Sequence, residues 1–195
     1  MRVLVACERS HTVRDAFLAK GHDAYSCDLE HSLPRDPHYK TRHLVGDVRP
    51  LLRECWDLVI AHPPCTYLCN SGVRHLHEQS GRWDKMMEAC EFFKMCLNAN
   101  ADKVCVENPI PHKYARQRIG KYSQIIYPWW FGNPETKRTC LWLRGLPLLR
   151  PTRVITGRIS SIHRMPPSPN RSLLRSITSA CIAEAIAEQW GKPCQ

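Results

Sequence analysis

The sequence predicts an α/β protein of Rossmann-like type: a mainly parallel sheet with helices on both faces, folded as a single domain. Three observations predict it. Short apolar runs alternate with longer segments of helical periodicity over the first two thirds of the chain, as strand–helix repeats do. The 195 residues are enough for one domain with a full core. Chemistry-bearing residues recur just after the apolar runs: Glu8 to Thr12, Asp28, Asp47, Cys65 and Glu107. In open parallel sheets the ligand crevice lies beyond the carboxyl ends of the strands, so one composite site is predicted.

Taken in order, Arg2–Cys7 reads as a buried strand. Val13–Lys20 reads as a helix with Val13, Ala16 and Phe17 on one face, stopped by Gly21. Asp23–Cys27 is a second strand ending in Asp28, and His43–Val45 leads into Gly46-Asp47. Asp57–Ala61 runs into His62-Pro63-Pro64-Cys65. Over Ser80–Asn98, Trp83, Met86, Met87, Cys90, Phe93 and Leu97 recur at helical spacing. Lys103–Val106 is a strand running into Glu107-Asn108-Pro109, and Ser123–Tyr127 and Thr139–Leu143 are further strand candidates. Residues 144–174 are rich in Pro, Arg and Ser and read as an exposed, mobile loop. Ile177–Trp190 closes as a helix with Ile182, Ala185, Ile186 and Gln189 on one side, ended by Gly191 and Pro193.

Charge and cysteine usage set the class. The 28 Lys+Arg exceed the 18 Asp+Glu by ten, which excludes an acidic disordered chain and favours a polyanionic partner. No apolar run approaches the ~18 residues of a membrane helix. The opening apolar stretch is cut by Glu8 and Arg9, too early for a secretory signal of ~7–15 apolar residues. The 11 cysteines are odd in number, lack any Cys-x-x-Cys and sit mostly in apolar segments. That predicts a reduced, cytoplasmic, soluble protein.

Cys65 follows Pro-Pro at a strand end, a stiff mount for a side chain projecting into the crevice. A thiol with its usual pKa near ~8.5 is a few per cent thiolate at neutral pH and already a strong nucleophile. The competing reading is a small buried hydrophobe, the fate of most cysteines. Glu107 is either a solvated carboxylate or an acid toward a ring nitrogen. His62, Cys65, Cys69, His75 and His77 cluster, but without a Cys-x₂-Cys pair and with Pro-Pro inside, so no metal is predicted. Tyr127-Pro-Trp-Trp-Phe131 reads as core or lid before base-stacking surface.

As an ordered set, Val-Ala-Cys-Glu-Arg-Ser-His-Thr-Val-Arg-Asp-Ala-Phe, Asp28, Gly46-Asp47, Pro-Pro-Cys65, Glu107-Asn108, Lys137-Arg138 and Arg175-Ser-Ile-Thr178 resemble the cytosine-C5 DNA methyltransferases. The small phage-encoded versions are the most similar, and the match spans residues 1–143 and 175–191. The resemblance implies S-adenosylmethionine as cofactor and DNA as partner. It implies Cys65 as the nucleophile toward C6, Glu107 at N3 and Arg138 on the base or a phosphate, with Lys137 and Arg116 as rivals. It also implies substrate contacts from Pro64, Thr66, Asn108 and Arg74. Asp28 would take the cofactor ribose and Asp47 the adenine amine. The turn of Cys7, Glu8, Ser10, His11, Thr12 and Val13, with Pro63, would pass under its methionine part, and Ser176 and Thr178 would close over it.

Three departures stand out. The family's first motif is glycine-rich, yet no glycine occurs between Ala6 and Lys20; Thr66 stands where the family often has Gln; and residues 144–174 replace a target-recognition domain. Low sequence specificity follows, and a homodimer is one way for so small a chain to offset base flipping. Two other readings stay open: C5 methylation of cytosine in RNA or a free nucleotide, and a degenerate methyltransferase fold that only binds nucleic acid.

Overall fold

The computed structural model describes residues 1–192; Pro193 and Cys194, named above as a helix stop and one of the thiols, lie outside the described residues. The chain runs β1 (Arg2–Ala6), α1 (Thr12–Leu18), β2 (Asp23–Asp28), α2 (Tyr39–Arg42), β3 (His43–Val45), β4 (Trp56–Ala61), α3 (His75–Glu78) and α4 (Arg82–Leu97). It continues with β5 (Ala101–Pro109), α5 (Lys113–Ile119), β6 (Gln124–Ile126), β7 (Thr139–Arg144), α6 (Ser161–Arg164), α7 (Arg171–Ser176) and α8 (Ala180–Trp190). The strands form one sheet in the order β3-β2-β1-β4-β5-β7-β6. Neighbours from β3 to β5 are parallel, and β7 runs antiparallel between β5 and β6. This is the Rossmann-like α/β architecture the sequence predicts. The strand order reverses between β1 and β4, the switch point where such sheets open a crevice.

Strand alternation decides the two layers. Leu4, Ala6, Val59, Ala61, Val104 and Val106 face Met86, Cys90 and Phe93 of α4. Their neighbours Val3, Val5, Leu58, Ile60 and Cys105 face α1 and α8, where Phe17, Ile186 and Trp190 fill the layer. With both faces covered, successive residues are apolar, which is why these strands read as unbroken hydrophobic runs. Each fully buried side chain contributes on the order of 1.5–3 kcal/mol.

The structure moves several boundaries. Gly81 adopts a left-handed backbone (φ 69°), so α4 starts after it and not at Ser80. Helix α8 begins at Ala180, because Ser179 is still extended (ψ 142°). Strand β5 extends to Pro109 because its far half pairs with β7. Residues 144–174 depart further from the expected loop. Leu149 is buried, and its backbone N–H and C=O are both held by the Gln124 amide, at 2.8 and 2.7 Å. Gln189 clamps the Arg150 backbone in the same way, and the Trp190 indole donates to the Pro147 carbonyl. Two short helices, α6 and α7, follow. Side chains distant in sequence hold this segment, so local composition does not reveal it.

Among the described residues no helix is long and apolar enough to cross a membrane, and the ten described cysteines are all free thiols.

Candidate active site

The turns that leave β1 and β4 flank the switch point. After β1 the chain turns through Cys7 and His11, both in the left-handed region (φ 58° and 55°). These are positions that favour glycine, so the turn keeps a glycine-like path without glycine, at roughly 1–2 kcal/mol per residue. Glu8 compensates. Its carboxyl turns inward and accepts from the N–H of Val13 (2.7 Å) and Arg14 (3.1 Å) and from the Ser10 hydroxyl (3.2 Å). The first turn of α1 is thereby capped from within. Burial raises the Glu8 pKa, against the lowering effect of His62 and these hydrogen bonds.

After β4, the segment from His62 to Cys65 runs along the ends of β4 and β5. His62 Nδ1 lies 3.1 Å from Glu107 Oε2, and both side chains are largely buried. His62 Nε2 is buried, without a hydrogen-bond partner among the described residues. Burial alone would keep the imidazole neutral, but Glu107 and then Glu8 overcome it, and the His62 pKa is raised. Burial likewise opposes ionisation of Glu107, yet His62 and Lys137 hold its carboxyl below the usual range. Glu8, His62, Glu107 and Lys137 therefore form a line of interacting charges across β1, β4, β5 and the approach to β7.

Cys65 sits half-buried beside that line. Its thiol is pushed up by a hydrogen bond to Cys69, by burial and by the Glu107 charge, with Lys137 opposing. The Cys69 sulfur is pulled down by that bond and by the Ser71 hydroxyl and the N–H groups of Ser71 and Gly72. Cys69 is one turn from Cys65, its N–H bonded to the Cys65 carbonyl at 2.9 Å.

The structure brings together Cys65, Glu107 and Lys137, and the cavity beside β5 is lined by His62, Glu107, Lys137 and Thr178. It separates others. Just before β7, Arg138 is exposed while Lys137 faces the cavity, its ammonium donating to the Arg175 carbonyl at 2.8 Å. Asn108 is fully buried on the opposite face of β5 and donates to the Pro63 carbonyl, fixing the Pro-Pro segment. Pro64, Thr66, Arg74 and Arg116 are exposed. Ser176 ends α7 and bonds to the Leu173 carbonyl. At the far edge, Asp28 Oδ1 accepts from the Glu30 N–H, next to Leu29, which is 76% exposed. Asp47 is exposed and paired with Arg49, which lowers its pKa through backbone and guanidinium bonds.

Sequence reading did not single out His62 as a partner of Glu107, Cys69 as a partner of Cys65, or Leu29. Of these, only Cys69 had a local signal that could have found it, its i, i+4 spacing from Cys65. His11, Asp15 and Asp36 are close enough to hold a cation. The Arg14 guanidinium, fully buried, already pairs with both carboxylates, so the cluster is a structural ion pair.

No protein-family model matches the chain, and no curated protein does. Solved structures do match it in fold. A DNA modification methyltransferase encoded within a prophage of E. coli superposes with a TM-score of 0.51 at 13% identity, over 80% of this chain and 52% of that one. The Entamoeba histolytica methyltransferase EhMeth superposes with a TM-score of 0.50 at 14% identity, over 87% of this chain and 61% of that one. The chain thus spans between half and two thirds of the length of either neighbour. The class defined is a single-sheet α/β protein with a methyltransferase-type Rossmann-like fold.

Proposed function

We propose that the protein methylates C5 of cytosine in DNA, using S-adenosylmethionine, through a transient bond from Cys65 to C6 and with low sequence specificity. The observation that carries this reading is the convergence of Cys65, Glu107 and Lys137 on adjacent strand ends beside the switch point. The residues suit the cofactor by the chemistry of their groups. Asp28 offers a free carboxylate oxygen to ribose hydroxyls, Leu29 an exposed apolar face to adenine, and Asp47 an acceptor for the adenine amine. Thr178 and the left-handed turn at Cys7 to Val13 flank the methionine end. Bound there, S-adenosylmethionine supplies an electrophilic methyl group to C5.

The chain's own groups do the rest. The target base leaves the helix stack, at a cost of a few kcal/mol, and meets Cys65. The thiol proton passes toward Cys69 as sulfur bonds to C6, and charge pushed into the ring is neutralised at N3 by Glu107. Lys137 balances the negative charge of the site. A solvent water then takes the C5 proton, and sulfur leaves as a thiolate that regains its proton from Cys69. Exposed Arg153 and Arg164, with Arg158 stacked on Trp129 at 3.8 Å, supply phosphate contacts that carry no sequence information.

The test is a duplex carrying 5-fluorocytosine, incubated with S-adenosylmethionine and run on a denaturing gel. Fluorine blocks the final elimination, so a protein–DNA band that requires the cofactor and disappears in Cys65→Ser is expected. Bands on RNA but not DNA would move the substrate class. No covalent product on DNA, RNA or dCMP would overturn the reading.

A further inference from the structure

The buried contact between His62 and Glu107 plays no part in the methyl-transfer steps as derived so far. His62 is the residue before Pro-Pro-Cys65, at the end of β4. Its Nδ1 is held by the Glu107 carboxyl, and the two side chains line one cavity.

We propose that His62 and Glu107 act as one proton-carrying pair, with His62 as the positioning residue that aims the carboxyl and restores its proton during attack on the base. The inference rests on the cytosine-C5 reading and deepens it. The groups facing the pair are Glu8 from the end of β1, Lys137 from the approach to β7, and the Cys65 thiol. Two carboxyls flank the ring and one ammonium stands beyond. That arrangement favours imidazolium, and agrees with the raised His62 and lowered Glu107 pKa values. A lone Glu107 beside Lys137 would be a carboxylate at neutral pH, with no proton to give.

The balance closes within the pair. In the resting state the exchangeable proton is on His62 Nδ1 and Glu107 is ionised. As the S–C6 bond forms and an electron pair reaches N3, N3 takes a proton from the carboxyl, which has received it from Nδ1. Imidazolium becomes imidazole, and Glu107 ends as the carboxylate it was. A solvent water then takes the C5 proton, the C5–H electron pair restores the C5–C6 double bond as the S–C6 bond breaks, sulfur leaves as a thiolate that regains its proton from Cys69, and N3 returns its proton to the pair.

Two measurements on the full-length protein test this. The first is independent of catalysis: ¹⁵N NMR titration of the histidine rings. His62 is expected to titrate above its usual ~6.5, and to fall by about one unit or more in Glu107→Gln, the size of an opposite charge at this range. A His62 titrating at or below the usual value, or unmoved by E107Q, overturns the pair. The second follows the rate of covalent capture on 5-fluorocytosine DNA against pH. His62→Ala should slow capture by about 10²-fold or more, the lower end of general acid–base effects. His62→Asn keeps a donor toward Glu107 but carries no transferable proton. It should regain binding of the DNA while losing the alkaline limb of the wild-type profile. An H62N profile that coincides with wild type refutes proton supply. If wild type itself forms no adduct at any pH, the C5 reading has failed, and the NMR titration still decides whether the pair exists.

Discussion

Replacing Asp36 with Asn should destabilise the protein far more than the same change at Asp15, although both carboxylates bind the same guanidinium. Arg14 is fully buried, and Asp36 has 1% of its side chain exposed against 30% for Asp15. Asp36 accepts from both terminal nitrogens of Arg14 (3.0 and 2.5 Å), from the Ser32 hydroxyl and from the His38 N–H. Removing one partner of a buried pair costs about 3–5 kcal/mol. Asp15 still offsets part of the guanidinium charge, which places Asp36→Asn near the lower end, about 3 kcal/mol. Asp15→Asn is screened by solvent and should cost about 1 kcal/mol or less. In a domain of this size a loss of about 3 kcal/mol lowers Tm by about 6–12 °C.

The sign of the pH dependence follows from the same carboxyl. Arg14 and the hydrogen bonds hold Asp36 well below the usual carboxylate range, against the cost of burial. Its contribution is therefore fully present above the unfolded value of about 3.9 and is lost as pH falls below it. Urea unfolding followed by tryptophan fluorescence between pH 3 and 7 measures both effects. Equal losses for D36N and D15N, or a D36N deficit that does not shrink toward pH 3, would refute the argument.

Lys137→Met should slow covalent capture on 5-fluorocytosine DNA at least tenfold, whereas Arg138→Ala should change it less than about twofold, because only Lys137 faces the cavity; the reverse order would exchange their roles. Gly145→Ala should cost more than about 1–2 kcal/mol in chemical denaturation, since its φ is +66° and a Cβ would press on the Asp102 backbone carbonyl; a neutral effect would mean that the β7 exit relaxes freely. Arg153→Ala with Arg164→Ala should flatten the salt dependence of DNA binding by about 0.9 for each phosphate no longer neutralised, and an unchanged slope would remove this segment from the interface. Leu29→Asp should weaken S-adenosylmethionine binding severalfold in calorimetry, with no change if adenine lies elsewhere.

The sheet was legible because parallel strands covered on both faces leave unbroken apolar runs, as in Val3–Ala6 and Leu58–Ala61. The candidate residues at strand ends were legible for the same reason: the run stops and a polar residue follows. What stayed hidden depends on distant partners. Which of Lys137 and Arg138 faces inward follows the alternation that also brings Thr139 and Leu141 to the cavity, a side of β7 that only the folded sheet defines. The His62–Glu107 contact spans 45 positions. The firm seating of Leu149 depends on Gln124, which looks like an ordinary surface residue in the sequence.

The inward turn of Glu8 also determines which ligands the crevice refuses. Dinucleotide-binding sheets of this general architecture set a pyrophosphate against the N–H groups that open their first helix. Here two of those groups already serve the chain's own carboxyl. An incoming diphosphate would find oxygen where it needs hydrogen, and repulsion wherever Glu8 is ionised. A cationic ligand meets no such barrier, so under the proposed function this one side chain would disfavour diphosphate cofactors and leave the entrance open to a positively charged sulfonium.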